Sequence, residues 1–134
     1  MLLVSWNVAG RKSRLQEQAD RVLQLSPDVV CLQEVTPVTA GAWSERLAAA
    51  GLTAALAPLP RSREGFRDAF RALNGFESKE PSWEWPRWGG GYRLDHLIAS
   101  AEVTVSACSY RHDWRRDGLL WDHSALVAEL SVRV

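Results

Sequence analysis

The chain has 134 residues, 46% of them hydrophobic, with a formal net charge of zero and a pI of about 6.8. This size and composition predict a single domain over residues 1–134 with a core of its own. The neutral balance excludes a bulk attraction to nucleic acid but leaves local patches open. The chain has neither a membrane-length apolar run nor a signal-peptide pattern, so we expect no membrane partner and a cytoplasmic location.

The cysteines and arginines give little information about the kind of site the protein carries. Cys31 and Cys108 lie in apolar, strand-like runs, which predicts buried free thiols and no disulfide scaffold or zinc site. The basic residues are arginine except for Lys12 and Lys79. Arginine can clamp phosphate with two bonds, but a biased genome explains the same excess and is the favoured explanation.

The first half of the chain alternates between predicted strands and helices, which indicates an α/β layered fold. The elements are a strand over residues 2–8, a helix after a capping box at Ser13 and Gln16, a strand over 28–35, a helix over 39–50 and a strand over 52–56. The strand over 28–35 is apolar on both faces, as in a sheet that helices cover.

The second half predicts one helix followed by antiparallel strands. The elements are a helix over residues 64–73, an irregular stretch over 76–91, strands over 92–100 and 102–110, a charged loop over 111–120 and a strand over 125–134. In the stretch 92–100, Leu94, His96 and Ile98 alternate with Arg93, Asp95 and Leu97, which is typical of a strand, and we expect 102–110 to be its neighbour in a hairpin.

Polar side chains at the ends of these strands are the candidate site. In a sheet fold, catalytic groups collect at strand ends and in the loops that follow. Glu34 suits a hard cation such as Mg²⁺. Asp95 lies in an apolar strand, where its charge is costly unless paired, and we predict that it meets His123 at the ends of neighbouring strands. An Asp–His pair suits acid–base work, so with Asn7 and Asp122 the set points to metal-assisted phosphoester hydrolysis.

Each candidate also has a purely structural explanation. Asn7 can form a turn, Glu34 can be a solvated strand end, Asp95 can pair with Arg93 or another arginine, and Asp122 can be an N-terminal turn residue beside His123. Taken one at a time the structural explanations are favoured, whereas the joint placement at strand ends favours a site.

Trp83, Trp85 and Trp88 lie within six residues of one another in the irregular stretch. They either cap a hydrophobic core, the favoured explanation for any one of them, or form an apolar wall beside a nucleotide base or abasic sugar.

Four motifs, in this order, resemble those of the endonuclease/exonuclease/phosphatase superfamily. They are Ser-Trp-Asn-Val at 5–8, Pro-Asp-Val-Val-Cys-Leu-Gln-Glu at 27–34, Arg-Leu-Asp-His-Leu-Ile-Ala-Ser at 93–100 and Asp-His-Ser-Ala at 122–125. Asp-Ala-Phe-Arg at 68–71 and Ser-Trp-Glu-Trp at 82–85 resemble its exodeoxyribonuclease-III-like branch.

The resemblance implies a four-layer α-β-β-α sandwich with mixed sheets and Mg²⁺-dependent hydrolysis of phosphodiesters or phosphomonoesters, with Mn²⁺ as an alternative ion. Glu34 would be the main metal ligand, Asn7 would contact the metal or the phosphate, and Asp122 would assist. Asp95 would orient His123, which would contact the scissile phosphate or the attacking water.

The resemblance also suggests how substrate is held. Trp83, Trp85 and Arg93 would contact it. The tryptophan-rich stretch and the helix of Asp68 favour DNA over RNA, with another phosphoester as the alternative.

The chain departs from the family in its middle. Family members carry a catalytic Gly-Asp-x-Asn segment and an upstream His or Tyr, whereas residues 36–91 contain no His and only one Asp, Asp68. We expect the domain to be truncated between Leu52 and Arg67 and its activity to be reduced. The alternatives are a catalytically degenerate metal- or nucleic-acid-binding member and a phosphatase for small phosphoesters. Loss of central strands would expose sheet edges for self-association.

Overall fold

A computed structural model of the chain describes residues 1–53, 66–85, 89–116 and 122–132, and these form eight strands and four α-helices. The strands are β1 (Leu2–Asn7), β2 (Val29–Gln33), β3 (Arg67–Asp68), β4 (Trp83–Trp85), β5 (Gly90–Tyr92), β6 (Ile98–Ala99), β7 (Val103–Arg111) and β8 (Ala125–Val132). The helices are α1 (Leu15–Gln24), α2 (Pro37–Ala49), α3 (Ala69–Asn74) and α4 (His112–Arg116). None of the helices in these ranges has the length and apolar character needed to cross a membrane.

The main sheet has four strands in the order β2-β1-β8-β7. Strand β1 runs parallel to β2 and antiparallel to β8, and β7 runs antiparallel to β8. The predicted mixed α/β fold is therefore confirmed. Two small antiparallel pairs, β3 with β6 and β4 with β5, accompany this sheet.

Successive side chains of β1 and β8 point to opposite faces of the sheet and contribute to a hydrophobic core on each face. Val4 and Trp6 of β1 pack with α1, α2 and Trp114 of α4 on one face. Leu3 packs on the other face with Phe70 of α3, and Leu97 packs against the same cluster. Because the parallel β1 and β2 both end at the same edge of the sheet, Asn7 and Gln33 lie side by side there.

Two helix starts show how local chemistry sets the boundaries. The predicted capping box at Ser13 and Gln16 is wrong, because a 3₁₀ turn takes up residues 12–14 and α1 begins at Leu15 without a side-chain cap. Helix α2 begins at Pro37 instead, where Thr36 and Thr39 form a capping box.

The stretch 92–100 is the largest correction in the second half. Only Ile98–Ala99 of its last seven residues is a strand, and Leu94 and Ile98 are 54% and 51% exposed. The less exposed side of this segment carries Asp95, Leu97 and Ala99, as expected for a carboxylate that needs a partner. The backbone amides of Leu94 and Asp95 donate to a side-chain hydroxyl, so they do not join a ladder.

Other sequence predictions are corrected more simply. Strand β7 pairs with β8 and not with the stretch 92–100. The irregular stretch contains the β4–β5 hairpin, and the charged loop begins with α4. Cys108 is buried as predicted, but Cys31 is exposed. The strand predicted over 52–56 and the expected truncation fall mostly in residues 54–65, outside the described residues, as do Trp88 and residues 117–121.

Candidate active site

Asp95 and His123 form a hydrogen-bonded pair at one end of the main sheet. His123 lies two residues before the start of β8, and its Nδ1 lies 2.7 Å from Oδ2 of Asp95. The side chain of His123 is only 14% exposed and that of Asp95 only 11%. Trp6 Nε1 donates to the carbonyl oxygen of His123 at 3.2 Å, which ties this residue to β1. The predicted contact is present, but Asp95 lies in the segment between β5 and β6 and not in a neighbouring strand.

The electrostatics of His123 link it to the rest of the site. Burial lowers its pKa, but the hydrogen bond and charge of Asp95, together with the charges of Asp122 and Glu34, raise it, and the net shift is upward. An ionised carboxylate only accepts hydrogen bonds, so Nδ1 carries a proton in the pair. The Nε2 atom is therefore the nitrogen that can exchange a proton with a substrate or water.

Asn7 and Glu34 form the second half of the site at the ends of β1 and β2. Asn7 is buried, and its Nδ2 donates to Glu34 Oε1 at 2.8 Å. Its Oδ1 accepts from the amide of Ala9 at 3.0 Å, so the turn role of Asn7 is real and coexists with the contact to Glu34. Glu34 is exposed and has a φ of +57°, a backbone conformation that costs a non-glycine residue energy.

The turn that follows β1 packs closely on the residues after Glu34. A Cβ added to Gly10 would lie 2.5 Å from Cγ2 of Thr36 and 3.1 Å from the carbonyl oxygen of Glu34. Gly10 also has a φ of +59°. Glycine is therefore required here, because it lets the two strand-end loops approach each other.

Asp122 and Trp83 make a third contact beside the dyad. Trp83 Nε1 donates to Asp122 Oδ2 at 2.8 Å, while Oδ1 of this carboxylate is buried and has no hydrogen-bond partner among the described residues. The Trp83 ring also stacks on Tyr92, with 6.3 Å between ring centroids, and Tyr92 is 66% exposed. Trp83 thus both holds Asp122 and supports an exposed aromatic ring.

The residues present fit a magnesium ion bound largely through water and substrate. Within the described ranges, no cluster of three or more His, Cys, Asp or Glu could hold a metal by itself. The buried, unpartnered Oδ1 of Asp122 and the exposed carboxylate of Glu34 are the oxygen donors on offer. Mg²⁺ commonly takes one or two carboxylates and completes its shell with waters and phosphate oxygens, so this donor set suits it.

Arg93, predicted to bind substrate, makes a buried pair instead. Its guanidinium donates to both carboxylate oxygens of Asp68, at 3.1 and 2.6 Å, and its side chain is 7% exposed. The structural alternative in which Arg93 pairs with Asp95 is therefore wrong. Burial raises the pKa of Asp68, but the hydrogen bonds from Arg93, the Arg71 amide and His96 lower it well below its usual range. A substrate role for Arg93 stays a prediction, as it does for Trp85, whose side chain lies outside the described residues.

Sequence reasoning missed two residues that hold Asp95. Ser82 is fully buried, and its Oγ lies 2.6 Å from Oδ2 of Asp95. The Tyr110 hydroxyl donates to the carbonyl oxygen of Asp95. The only sequence signal for Ser82 was its place in the Ser-Trp-Glu-Trp motif, and the need of a buried carboxylate for donors is the physical reason to look for one.

The chain is an α/β protein with an oriented Asp–His pair and carboxylate oxygens at the ends of its strands. Such a set of side chains is typical of proteins that cleave phosphoesters with the help of a metal ion. The profile of the Endonuclease/Exonuclease/phosphatase family matches residues 4–76, over half of the chain. The chain therefore belongs to this family, whose members are generally divalent-metal-dependent hydrolases of phosphodiesters or other phosphoesters.

The family match covers only one part of the candidate site. The matched residues include Asn7 and Glu34 but end before Asp95 and His123. The latter pair is thus supported by its observed contact and burial. A search among curated proteins finds no matching relative.

Proposed function

We propose that this chain is a Mg²⁺-dependent phosphodiester hydrolase that acts on DNA, similar to the exodeoxyribonuclease-III-like repair nucleases. The observation that carries the proposal is the convergence of charge on one imidazole. His123 is hydrogen-bonded to Asp95 and lies close enough to Asp122 and Glu34 for both charges to raise its pKa. A histidine whose pKa is raised holds its proton more firmly, which suits contact with a phosphate anion.

Each side chain has a separate task in this proposal. Glu34, oriented by Asn7, and Asp122 would hold the metal, which supplies charge neutralisation at the phosphate and a water of lowered pKa. Asp95 keeps the Nδ1 proton of His123 in place, so Nε2 faces the substrate. The imidazolium then donates a hydrogen bond to a phosphoryl oxygen and stabilises the charge that develops there in the transition state.

DNA is the preferred substrate because of the aromatic surface next to the dyad. Tyr92 is exposed and stacked on Trp83, which itself contacts Asp122. Aromatic rings beside a phosphate site are platforms for unstacked bases, and each base stacked there contributes about 1–3 kcal/mol. Self-association through the outer strands β2 and β7 is a further part of the proposal, which size-exclusion chromatography tests.

The activity should be weak. The sequence lacks the Gly-Asp-x-Asn segment of the resembled family, and a positioned general base contributes roughly 10²–10⁴-fold to rate. His123 acts as a hydrogen-bond donor to the phosphate in this proposal, so it replaces that base only in part.

A cleavage assay with matched glutamate variants tests the proposal. Duplex DNA with an abasic site or a nick is incubated with and without Mg²⁺, using the wild type, Glu34→Gln and Glu45→Gln. Glu45 is an exposed carboxylate on α2 and serves as the control. We expect Mg²⁺-dependent cleavage that falls at least about 100-fold in Glu34→Gln and is unchanged in Glu45→Gln.

The other outcomes identify the alternatives. Cleavage that survives Glu34→Gln overturns the metal assignment. DNA or metal binding without cleavage identifies the degenerate binding protein. Hydrolysis of a small phosphomonoester in preference to DNA identifies a phosphatase.

A further inference from the structure

Ser82 joins the two chain segments that carry the dyad. It precedes β4, is fully buried and uses both its side chain and its backbone. Its Oγ lies 2.6 Å from Oδ2 of Asp95, 2.9 Å from the amide of Leu94 and 3.0 Å from the amide of Asp95. Its carbonyl oxygen accepts from the amide of Ser124, the residue after His123, at 2.7 Å.

The hydroxyl of Ser82 is fully used by these contacts. A serine hydroxyl has one hydrogen to donate and two lone pairs to accept with. The two backbone amides fill the lone pairs, so the hydrogen must go to the carboxylate of Asp95. The direction of every hydrogen bond is thereby fixed, and the carboxylate is held relative to its own backbone.

One oxygen of Asp95 is shared between Ser82 and His123. Both the hydroxyl and Nδ1 of His123 lie within 2.7 Å of Oδ2. A change in the hydroxyl therefore acts directly on the atom that orients the imidazole. The backbone contact to Ser124 and the strand bridge between Trp83 and His123 hold the imidazole from the other side.

We propose that Ser82 is a positioning residue for the dyad: it sets the geometry of Asp95 and, through it, of His123. The inference deepens the proposed function, since the reaction that the dyad serves rests on it. The geometry that Ser82 imposes is independent of activity and is measured separately.

Ser82 could instead serve only as a hydrogen-bond partner for the buried amides of Leu94 and Asp95, and the two roles predict different results. Substitution of Ser124 provides the matched control. Ser124 is also a fully buried serine, and its hydroxyl lies 2.8 Å from Nδ1 of His112. Its side chain makes no hydrogen bond to Asp95 or His123 in the described structure. Ser124→Ala therefore removes a buried hydroxyl of the same kind without touching the dyad.

The test compares the variants Ser82→Ala, Ser82→Thr and Ser124→Ala with the wild type. Two quantities are measured: the steady-state kinetics, and the NMR signal of the hydrogen-bonded Nδ1–H proton of His123. That signal is assigned by its loss in His123→Gln. We expect Ser82→Ala to lower kcat about 10- to 100-fold with KM nearly unchanged, because small misplacements of reacting groups cost this much. The His123 signal should broaden or vanish. Ser82→Thr, which keeps the hydroxyl, should restore both, and Ser124→Ala should keep both.

The proposal is overturned if Ser82→Ala keeps the His123 signal and kcat, or if Ser124→Ala changes them as strongly. If Ser82→Ala does not fold, Ser82→Cys replaces it under the same criteria, because a thiol fills the space but is a weak donor. If the wild type cleaves no substrate, the proposed function fails, whereas the His123 signal still decides the role of Ser82.

Discussion

Replacing Arg93 with methionine should destabilise the fold rather than weaken substrate binding. The guanidinium is buried, bonds to both oxygens of Asp68 and lies 5.5 Å from the centre of the Phe70 ring. Methionine keeps much of the apolar contact but leaves the carboxylate of Asp68 without its main partner. Asp68 is 17% exposed, so water compensates only in part.

The size of the loss in stability depends on the hydrogen-bond partners that Asp68 keeps when Arg93 is replaced. Breaking a buried ion pair costs about 3–5 kcal/mol. Asp68 keeps the Arg71 amide at 3.0 Å and Nδ1 of His96 at 2.9 Å, so the lower end applies. We expect Arg93→Met to lower the free energy of unfolding by about 3 kcal/mol and the Tm by about 10 °C.

Urea unfolding followed by tryptophan fluorescence measures this change. The double variant Asp68→Asn/Arg93→Met should recover most of the loss, because asparagine removes the unpaired charge and still caps α3. Arg14→Met is the control: its pair with Glu17 is exposed, so it should change stability by less than about 1 kcal/mol. Arg93→Met that is as stable as the wild type but has a raised KM would refute the structural role and restore the substrate-binding prediction.

Three further predictions concern pH and local packing. The pKa of Asp68 is lowered in the folded state, so its contribution is present above the unfolded carboxyl pKa of about 4 and is lost as the pH falls below it. The urea midpoint of Asp68→Asn should therefore fall less than that of the wild type between about pH 5 and pH 2, and an equal fall would contradict this. His112→Phe removes the partner of the buried Ser124 hydroxyl and the contact between His112 Nε2 and Glu80, so it should cost about 1–3 kcal/mol in urea unfolding. The double variant His112→Phe/Ser124→Ala should be partly restored, and an unchanged urea midpoint in His112→Phe would exclude this. Thr36→Ala should cost about 1 kcal/mol through loss of the α2 capping box, measured by thermal unfolding, whereas Thr104→Ala on the exposed face of β7 should cost less.

The first half of the fold could be predicted from sequence because its signals are local. The spacing of apolar residues along the chain is enough to predict a buried strand, with apolar residues on both faces, and an amphipathic helix, with an apolar stripe on one side. Asn7 ends β1 and Glu34 directly follows β2, and the parallel register pairs Asn7 with Gln33. Their contact at 2.8 Å is thus a consequence of strand order.

The second half depends on contacts between distant segments, which no local pattern reports. The alternation over residues 92–100 predicts a strand, yet only Ile98–Ala99 of residues 94–100 is one, and Asp95 lies outside it with a largely buried side chain. Ser82 and His123 supply the hydrogen bonds that this buried carboxylate needs, and an apolar side chain at that position could not accept them. The need for a partner was visible in the sequence, but the identity of Ser82 was not.

The central claim is that Glu34 helps to hold a metal beside His123, and Mn²⁺ tests it without any assumed substrate. Mn²⁺ is a paramagnetic substitute for Mg²⁺ and broadens the NMR signals of nearby nuclei. With a small amount of Mn²⁺, we predict that the ring signals of His123 broaden before those of His112, and that Glu34→Gln abolishes the difference at the same concentration. Sharp His123 signals with Mn²⁺ bound, or broadening that Glu34→Gln leaves unchanged, would contradict the claim.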